Sequence, residues 1–415
     1  MIDPALIRED PNRVRKHLVN RRFPADALEM FISLDREWRE ELQEVESLQH
    51  KLKTATPKRK PTDEEKGELS ELSDMIQSKK RDLKSLEQSK NEYALSIPNI
   101  LSHDTPLGDS DKDNVEIRKE GDIPTFDFNV QSHDALAQSL NLVDFEKASL
   151  ISGSRFAVLK GWGARLERAL IHFMLDMHTT SHGYEECMPP VLVNSKALQG
   201  TGQLPKFKED LFHCADTDLW LSPTAEVQLT NLYQNAVIPA GELPIALTAH
   251  TACFRREAGS YGKDVKGLIR LHQFNKVELV QLVHPDQSER VLTALLTHAE
   301  NILKALALPY RVVELCSADM GFSAGKTFDL EVWFPSQNCY REISSCSNFF
   351  DFQARRAMIR YKDVGGAVGY LHTINGSGLA VGRTFAALIE NYQTKMGTVN
   401  VPGALKPYLG VETLT

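Results

Sequence analysis

Residues 248–283, TAHTACFRREAGSYGKDVKGLIRLHQFNKVELVQLV, hold the chain's densest set of side chains able to do chemistry. The ends of this segment alternate polar and apolar residues, and the middle carries Gly259, Gly262 and Gly267, so it reads as strand, loop, strand. Alternation places Arg270, His272, Phe274, Lys276 and Glu278 on one face of the second strand, and Val277, Leu279 and Val283 on the other. In the first strand Arg255 and Glu257 share a face. An arginine, a flat ring and two carboxylates on one surface suit a phosphate, a base and an ammonium group. A sheet face salt-bridged by Arg and Glu and open to water has the same composition, and this segment alone does not choose between the two.

Two further segments weigh on that choice. In EVWFPSQNCYREISSCSNFFDFQARRAMIRY, Glu342 is followed closely by Ser344 and Ser345, oxygen donors suited to Mg²⁺ beside ATP phosphates. Strict alternation sends Glu342 and Ser345 to opposite faces, so joint metal binding requires a bulge or a strand end there. The segment GYLHTINGSGLAVGRTFAALIENYQ reads as strand, glycine turn, helix. Gly376, Gly378 and Gly382 allow a dinucleotide fold with pyrophosphate at the helix start. The run of strands and helices that such a fold needs does not follow. Arg383 suits another task, stacking on a purine and neutralising phosphate charge.

The elements that position these residues fall into an arm and a body. Phe31, Trp38, Leu42, Val45 and Leu52 step by three and four along one helix, flanked by Leu34 and Leu48. A second seam runs through Leu69, Leu72, Ile76, Leu83, Leu86 and Tyr93, interrupted by Lys79 and Lys90. Pro57 and Pro61 interrupt the chain between them, and Thr62 or Asp63 can cap the second helix. The expected element is an antiparallel helical hairpin over about residues 27–95, with its tip near 54–62 and helices of about 27 residues, about 40 Å each. Its tip is basic, with Lys51, Lys53, Lys58, Arg59 and Lys60. Such a run is either a solvated loop or a contact for a phosphate backbone. After Pro98 a turn-rich linker leads into mixed helix and strand, so the expected division is residues 1–100 and 101–415.

Composition bounds the functional classes. A net charge of −8 and 25% charged residues argue against a protein that coats nucleic acid, so any such contact is local. The acidic start, MIDPALIRED, lacks the features of a targeting peptide, and no segment is long enough to span a membrane. Six scattered cysteines, without a C-x-x-C pair, read as reduced thiols of a cytoplasmic protein, and no zinc site is expected.

Taken together, these segments resemble the motifs of class II aminoacyl-tRNA synthetases, and in wording the seryl-tRNA synthetases of bacterial type. HGYEECMPPVLVN, at about 182–194, resembles the dimer-forming motif 1, with Pro190 as the motif proline. FRREAG through HQFNKVEL, within 248–283, resembles motif 2, and GLAVGRTFAALIENYQ, within about 376–393, resembles motif 3. TGQLPKF, PTAEV, REISSCSNFFDFQARR and HTINGSGLAVGR are similar to seryl-specific stretches, and the hairpin is similar to the arm this family uses to grip tRNA. Two departures are Ala252, where the family commonly has proline, and Arg256, where a small residue is usual.

The resemblance implies an α+β fold, an antiparallel sheet flanked by helices behind an N-terminal hairpin. It implies ATP-dependent activation of L-serine to seryl-adenylate and transfer to tRNA(Ser), and to tRNA(Sec) where present, by a cytoplasmic homodimer using Mg²⁺ with ATP. Matched to the motifs, Arg255 clamps the α-phosphate and carboxyl group, Glu257 reads the adenine amino group, and Phe274 and Arg383 sandwich the ring. Arg255 and Arg383 are the catalytic cations. Arg256 and the run Glu342, Ile343, Ser344 and Ser345 contact ATP, with Glu342 and Ser345 also on Mg²⁺. Thr224, Ala225, Glu226, Glu278, Asn375 and Ser377 line the serine pocket. A ligase that charges a carrier protein would lack the hairpin. A non-catalytic paralogue would have lost some of Arg255, Glu278, Glu342 and Arg383, all of which are present.

Overall fold

The computed structural model describes residues 1–258 and 267–415. Gly259 and Gly262 of the expected loop lie outside the described residues. The chain divides into two compact units, Met1–Pro98 and Asn99–Thr415.

The first unit contains four helices, α1 (Pro4–Glu9), α2 (Pro11–Asn20), α3 (Asp26–Ala55) and α4 (Asp63–Ser96). At 30 and 34 residues, α3 and α4 exceed the expected 27. Thr62 caps α4 by accepting from the Glu65 amide, while the Glu65 carboxylate accepts from the Thr62 amide, satisfying two otherwise orphaned donors. The lysines that break the second seam are partnered across the hairpin. Lys79 reaches Glu41 at 2.9 Å and Glu44 at 2.7 Å. Lys90 lies 3.6 Å from the Trp38 ring centroid and 3.7 Å from the buried Asp35. Asp35 also holds Arg8 of α1 through two hydrogen bonds, so one carboxylate ties α1, α3 and α4 together.

The second unit is built on an eight-stranded sheet. Its strands are β1 (Val115–Glu120), β2 (Glu185–Glu186), β3 (Ile245–Phe254), β4 (Gln273–Val283), β5 (Tyr310–Glu314), β6 (Lys326–Phe334), β7 (Cys339–Asn348) and β8 (His372–Ala380). Their order is β1-β5-β6-β7-β8-β4-β3-β2. All neighbours are antiparallel except β2 and β3. Helices α5 (Trp162–Thr180), α6 (Ser288–Ala305) and α7 (Val381–Asn391) cover one face. On α6 Val291, Leu292, Leu295, Leu296, Ala299, Ile302 and Leu303 are buried, a stripe at helical period that packs on Ile374, Leu330 and their neighbours. The opposite face is left to carry a polar cavity.

Two bulges set that face. Along β6, Leu330 pairs with Ser344 but Glu331 pairs with Glu342, so Ile343 is an extra residue in β7. Along β4, Val277 pairs with Leu379 but Glu278 pairs with Ser377, so Gly378 is an extra residue in β8. Each insertion reverses the facing of the residues beyond it. The bulge at Ile343 puts Glu342 and Ser345 on the same face, as their joint use requires. The first strand of the 248–283 segment ends at Phe254, short of Arg255 and Glu257, which were expected within it, and Glu257 takes a positive φ of 52°, outside the strand region.

Candidate active site

A cavity of about 710 Å³ opens on the uncovered sheet face. Phe274, Lys276 and Glu278 of β4, Asn375 and Ser377 of β8, and Glu342 and Ser345 of β7 line it, with Arg255, Glu257 and Arg383 from the adjoining turns and helix start. Thr224 and Glu226 complete it from the segment leading into helix α8 (Glu226–Asn231).

Near Phe274 the cavity is cationic. The Arg255 guanidinium lies 5.3 Å from the Phe274 ring centroid, and the Arg255 amide donates to the His272 carbonyl at 2.9 Å, extending the ladder past the strand end. Arg383 donates to the Glu342 carbonyl at 2.7 Å and the Ile269 carbonyl at 3.3 Å, and its Nη1 lies 3.3 Å from the Glu342 carboxylate. Arg383 holds the Glu342 carboxyl below its ordinary range against the opposing effect of burial. Beside this pair, burial and the Glu342 charge push the Asp329 carboxyl up, while Ser345 donates to it. Asp329 Oδ1 is left without a hydrogen bond among the described residues. Glu257, expected at the adenine, is ion-paired with Arg270.

Four residues farther along β4, a distance of about 13 Å at strand rise, the lining changes to a paired polar cluster. Glu278 is 2% exposed and accepts from the Thr224 hydroxyl at 2.5 Å. Lys276 is ion-paired with Glu278 and donates to Thr224 Oγ1 at 3.0 Å. The Glu226 amide donates to the same hydroxyl at 3.2 Å. Glu226 Oε1 accepts from Gln353 Nε2 at 2.6 Å. Burial, then repulsion from Glu278, pushes the Glu226 carboxyl up to about 7.

Behind β8, His178 of α5 lies 3.0 Å from the Gly378 carbonyl. A carbonyl only accepts, so His178 Nε2 carries the proton and Nδ1 accepts from His182 Nδ1 at 3.0 Å. A Cβ on Gly378 would come within 2.6 Å of His178 Nε2, which explains glycine as the bulge residue.

Most of the expected residues converge, but four do not present side chains to the cavity. Ala225 is fully buried against Leu229, Leu247, Ala249 and Val280. Ser344 turns the other way and donates to the Ser377 carbonyl at 2.7 Å. Arg256 is exposed outside the cavity lining, with its amide on the Asp210 carbonyl at 2.8 Å. The Ile343 side chain packs into the core, so the bulge brings only its backbone near the cavity. Sequence reading gave Lys276 no role although alternation placed it on the right face, and it passed over Asp329 and Gln353. The signal for Asp329 was its position two residues from Thr327 and Glu331 on a neighbouring strand, which requires the strand pairing to be known. Gln353 lies within a stretch read as seryl-specific, and only its contacts give it a role.

The tRNA synthetase class II core domain (G, H, P, S and T) matches residues 209–392, and the seryl-tRNA synthetase N-terminal domain matches residues 1–101. Serine–tRNA ligase from Geotalea uraniireducens is 50% identical over 417 residues, covering 99% of both chains. That from an Exiguobacterium species is 49% identical, covering 99% of this chain and 98% of its own. The crystal structure of seryl-tRNA synthetase from Pyrococcus horikoshii complexed with ATP superposes with a TM-score of 0.93 at 32% identity, covering 100% of this chain and 99% of that one. A Giardia lamblia prolyl-tRNA synthetase, at 16% identity, 67% of this chain, 57% of its own and a TM-score of 0.58, shares the core fold alone. Matched in both units and along its whole length, the chain belongs to the seryl-tRNA synthetase family of class II aminoacyl-tRNA synthetases.

Proposed function

We propose that the cavity on the open sheet face holds ATP beside Phe274 and Arg383 and serine beside Glu278, Thr224 and Glu226. The reaction is ATP-dependent activation of serine and its transfer to tRNA, as in the serine–tRNA ligases this chain matches along its full length. The observation that carries the assignment is the pair of bulges, which turns Glu278 with Ser377 and Glu342 with Ser345 into one cavity.

The serine carboxylate attacks the α-phosphorus and pyrophosphate leaves, after which a ribose hydroxyl of tRNA attacks the carbonyl carbon of the seryl-adenylate and AMP leaves. The nucleophile is already anionic, so the first step needs in-line placement and charge neutralisation more than a base. Arg255 and Arg383 supply that positive charge. Arg383 is oriented before ATP arrives by two backbone carbonyls and Glu342, so little reorganisation accompanies the reaction. Phe274 offers the flat face on which adenine stacks. Glu278, charge-paired with Lys276 and hydrogen-bonded by Thr224, is the acceptor for serine's ammonium and hydroxyl groups. An alanine side chain leaves this polar wall unmatched, which disfavours it.

Among the described residues no group of three or more His, Cys, Asp or Glu could hold a metal by itself. Glu342 and Ser345, with the unpartnered Asp329 Oδ1 beside them, make an all-oxygen edge that fits Mg²⁺ arriving with ATP. When bound there, Mg²⁺ supplies charge neutralisation at the phosphates.

We further assign tRNA contact to the exposed Lys51, Lys53, Lys58 and Lys60. Arg59 is held in a two-point pair with Glu65, so its charge is already partly matched. Dimerisation through the motif 1 region is supported by Met188 and Leu192, 92% and 41% exposed. Serine-dependent ATP–pyrophosphate exchange by Glu278→Ala tests the pocket. Exchange should fall at least a hundred-fold in a folded protein, and near-normal exchange refutes the assignment.

A further inference from the structure

Glu226 is buried and lines the cavity, yet among the described residues no cation is hydrogen-bonded to it. Among the described residues its side-chain hydrogen-bond partner is Gln353, a residue 1% exposed on the short helix Phe352–Ala357. The Gln353 amide is used at both ends. Nε2 donates to Glu226 Oε1 at 2.6 Å and to the Thr201 carbonyl at 3.2 Å, while Oε1 accepts from the Thr373 hydroxyl at 2.6 Å. The Thr201 carbonyl only accepts, so it fixes which end of the amide is nitrogen. With Oε1 of Glu226 occupied by a donor, Oε2 is the carboxylate oxygen left for a ligand.

The same side chain joins three segments of the cavity wall. Thr201, with Gly202, Gln203 and Phe207, belongs to the 201–207 loop that lines the cavity. Thr373 stands on β8, two residues before Asn375, and Glu226 starts α8. The neighbouring Arg356 donates to the Leu204 carbonyl of the same loop at 3.3 Å and to the Gln199 carbonyl, in the helix leading into it, at 3.2 Å. The helix Phe352–Ala357 therefore grips the loop at two points and the Glu226 carboxyl at one.

We propose that Gln353 is a positioning residue for serine: it holds Glu226 so that a single oxygen faces the amino acid, and it locks the 201–207 loop to that carboxyl. This rests on the assignment of Glu226 to the serine pocket. A carboxyl free to rotate offers its oxygens in changing directions, and binding must then restrict it. Removal of a hydrogen bond to a buried carboxyl leaves that group unsatisfied as well, so the loss falls on serine binding.

The test is steady-state ATP–pyrophosphate exchange by Gln353→Leu, with KM measured separately for serine and ATP. Serine KM should rise about ten-fold or more, with ATP KM at saturating serine within two-fold of the wild type. Glu226 is also faced by Glu278, Lys276 and Arg255, and those remain in the variant. Because Gln353 draws the Glu226 carboxyl toward ionisation, its loss should move the acid limb of serine binding to higher pH. A folded Gln353→Leu protein with serine KM within two-fold of wild type, or with serine and ATP KM rising together, overturns the proposal.

Glu226→Gln, measured in parallel, separates the two levels. If it too leaves serine KM unchanged, the assignment of Glu226 fails. If it raises serine KM and Gln353→Leu does not, only the positioning role fails. Should Gln353→Leu not fold, Thr373→Val removes the bond that anchors the amide without touching Glu226. It is read by the same criteria with a three-fold threshold.

Discussion

Glu167 on α5 is 7% exposed, and its carboxyl accepts from Asn275 Nδ2 at 3.1 Å. Burial pushes its pKa up to about 7. Its unfolded value lies near 4.5, so between those limits the folded state binds more protons than the unfolded chain. Stability therefore falls as pH rises from about 4.5 to 7, and the cost is fully present above that. Glu167→Gln keeps the acceptor for Asn275 and removes the charge. At pH 8 it should stabilise the protein by about 2 kcal/mol, and at pH 4.5 the gain should vanish, as denaturant titrations at the two values would show. Arg383 offers a second test at this scale. Its guanidinium reaches two carbonyls and Glu342 at once, which an ammonium cannot reproduce. Arg383→Lys should raise ATP KM about ten-fold or more while tRNA binding, measured by filter retention, stays unchanged.

At the scale of elements, hairpin and sheet differ in how much a reader of sequence can see. The seam from Phe31 to Leu52 and the prolines at 57 and 61 announce α3, the connection and α4, because helical period and backbone chemistry are local properties. Asp35 and Lys90 sit inside the seam as charges, and their burial is made tolerable by their mutual contact together with Arg8 on Asp35 and the Trp38 ring beneath Lys90. On the sheet, alternation correctly turned Phe274, Lys276 and Glu278 together. It could not place Ser377 or Ser345 without knowing that Gly378 and Ile343 are extra residues, since a bulge is a property of two paired strands. Gln353 was illegible for the same reason: its partners lie 127, 152 and 20 residues away. Replacing residues 57–61 by a short glycine-serine link leaves the Thr62 cap intact. Serine-dependent exchange should remain within two-fold while tRNA charging drops at least ten-fold. Equal loss of both would assign the tip a structural role.

At the scale of the molecule, a chain of net charge −8 repels RNA except where its lysines gather. Raising KCl from 50 to 200 mM should therefore raise tRNA KM several-fold through loss of counterion release, with serine KM nearly constant. The two units also differ in what holds them together: long helices with cross-hairpin ion pairs in one, and a sheet under three helices in the other. In the sheet the bulges at Ile343 and Gly378 have a consequence for how this enzyme tolerates change. Along β7 and β8 the count of residues acts as a phase. Trimming one position from either strand would interchange inward and outward side chains on one side of the cut, sending Glu342 or Ser377 toward the apolar helices. Replacing the bulge residue leaves the count alone. In these strands a frame-preserving deletion of one codon should therefore be more damaging than most substitutions.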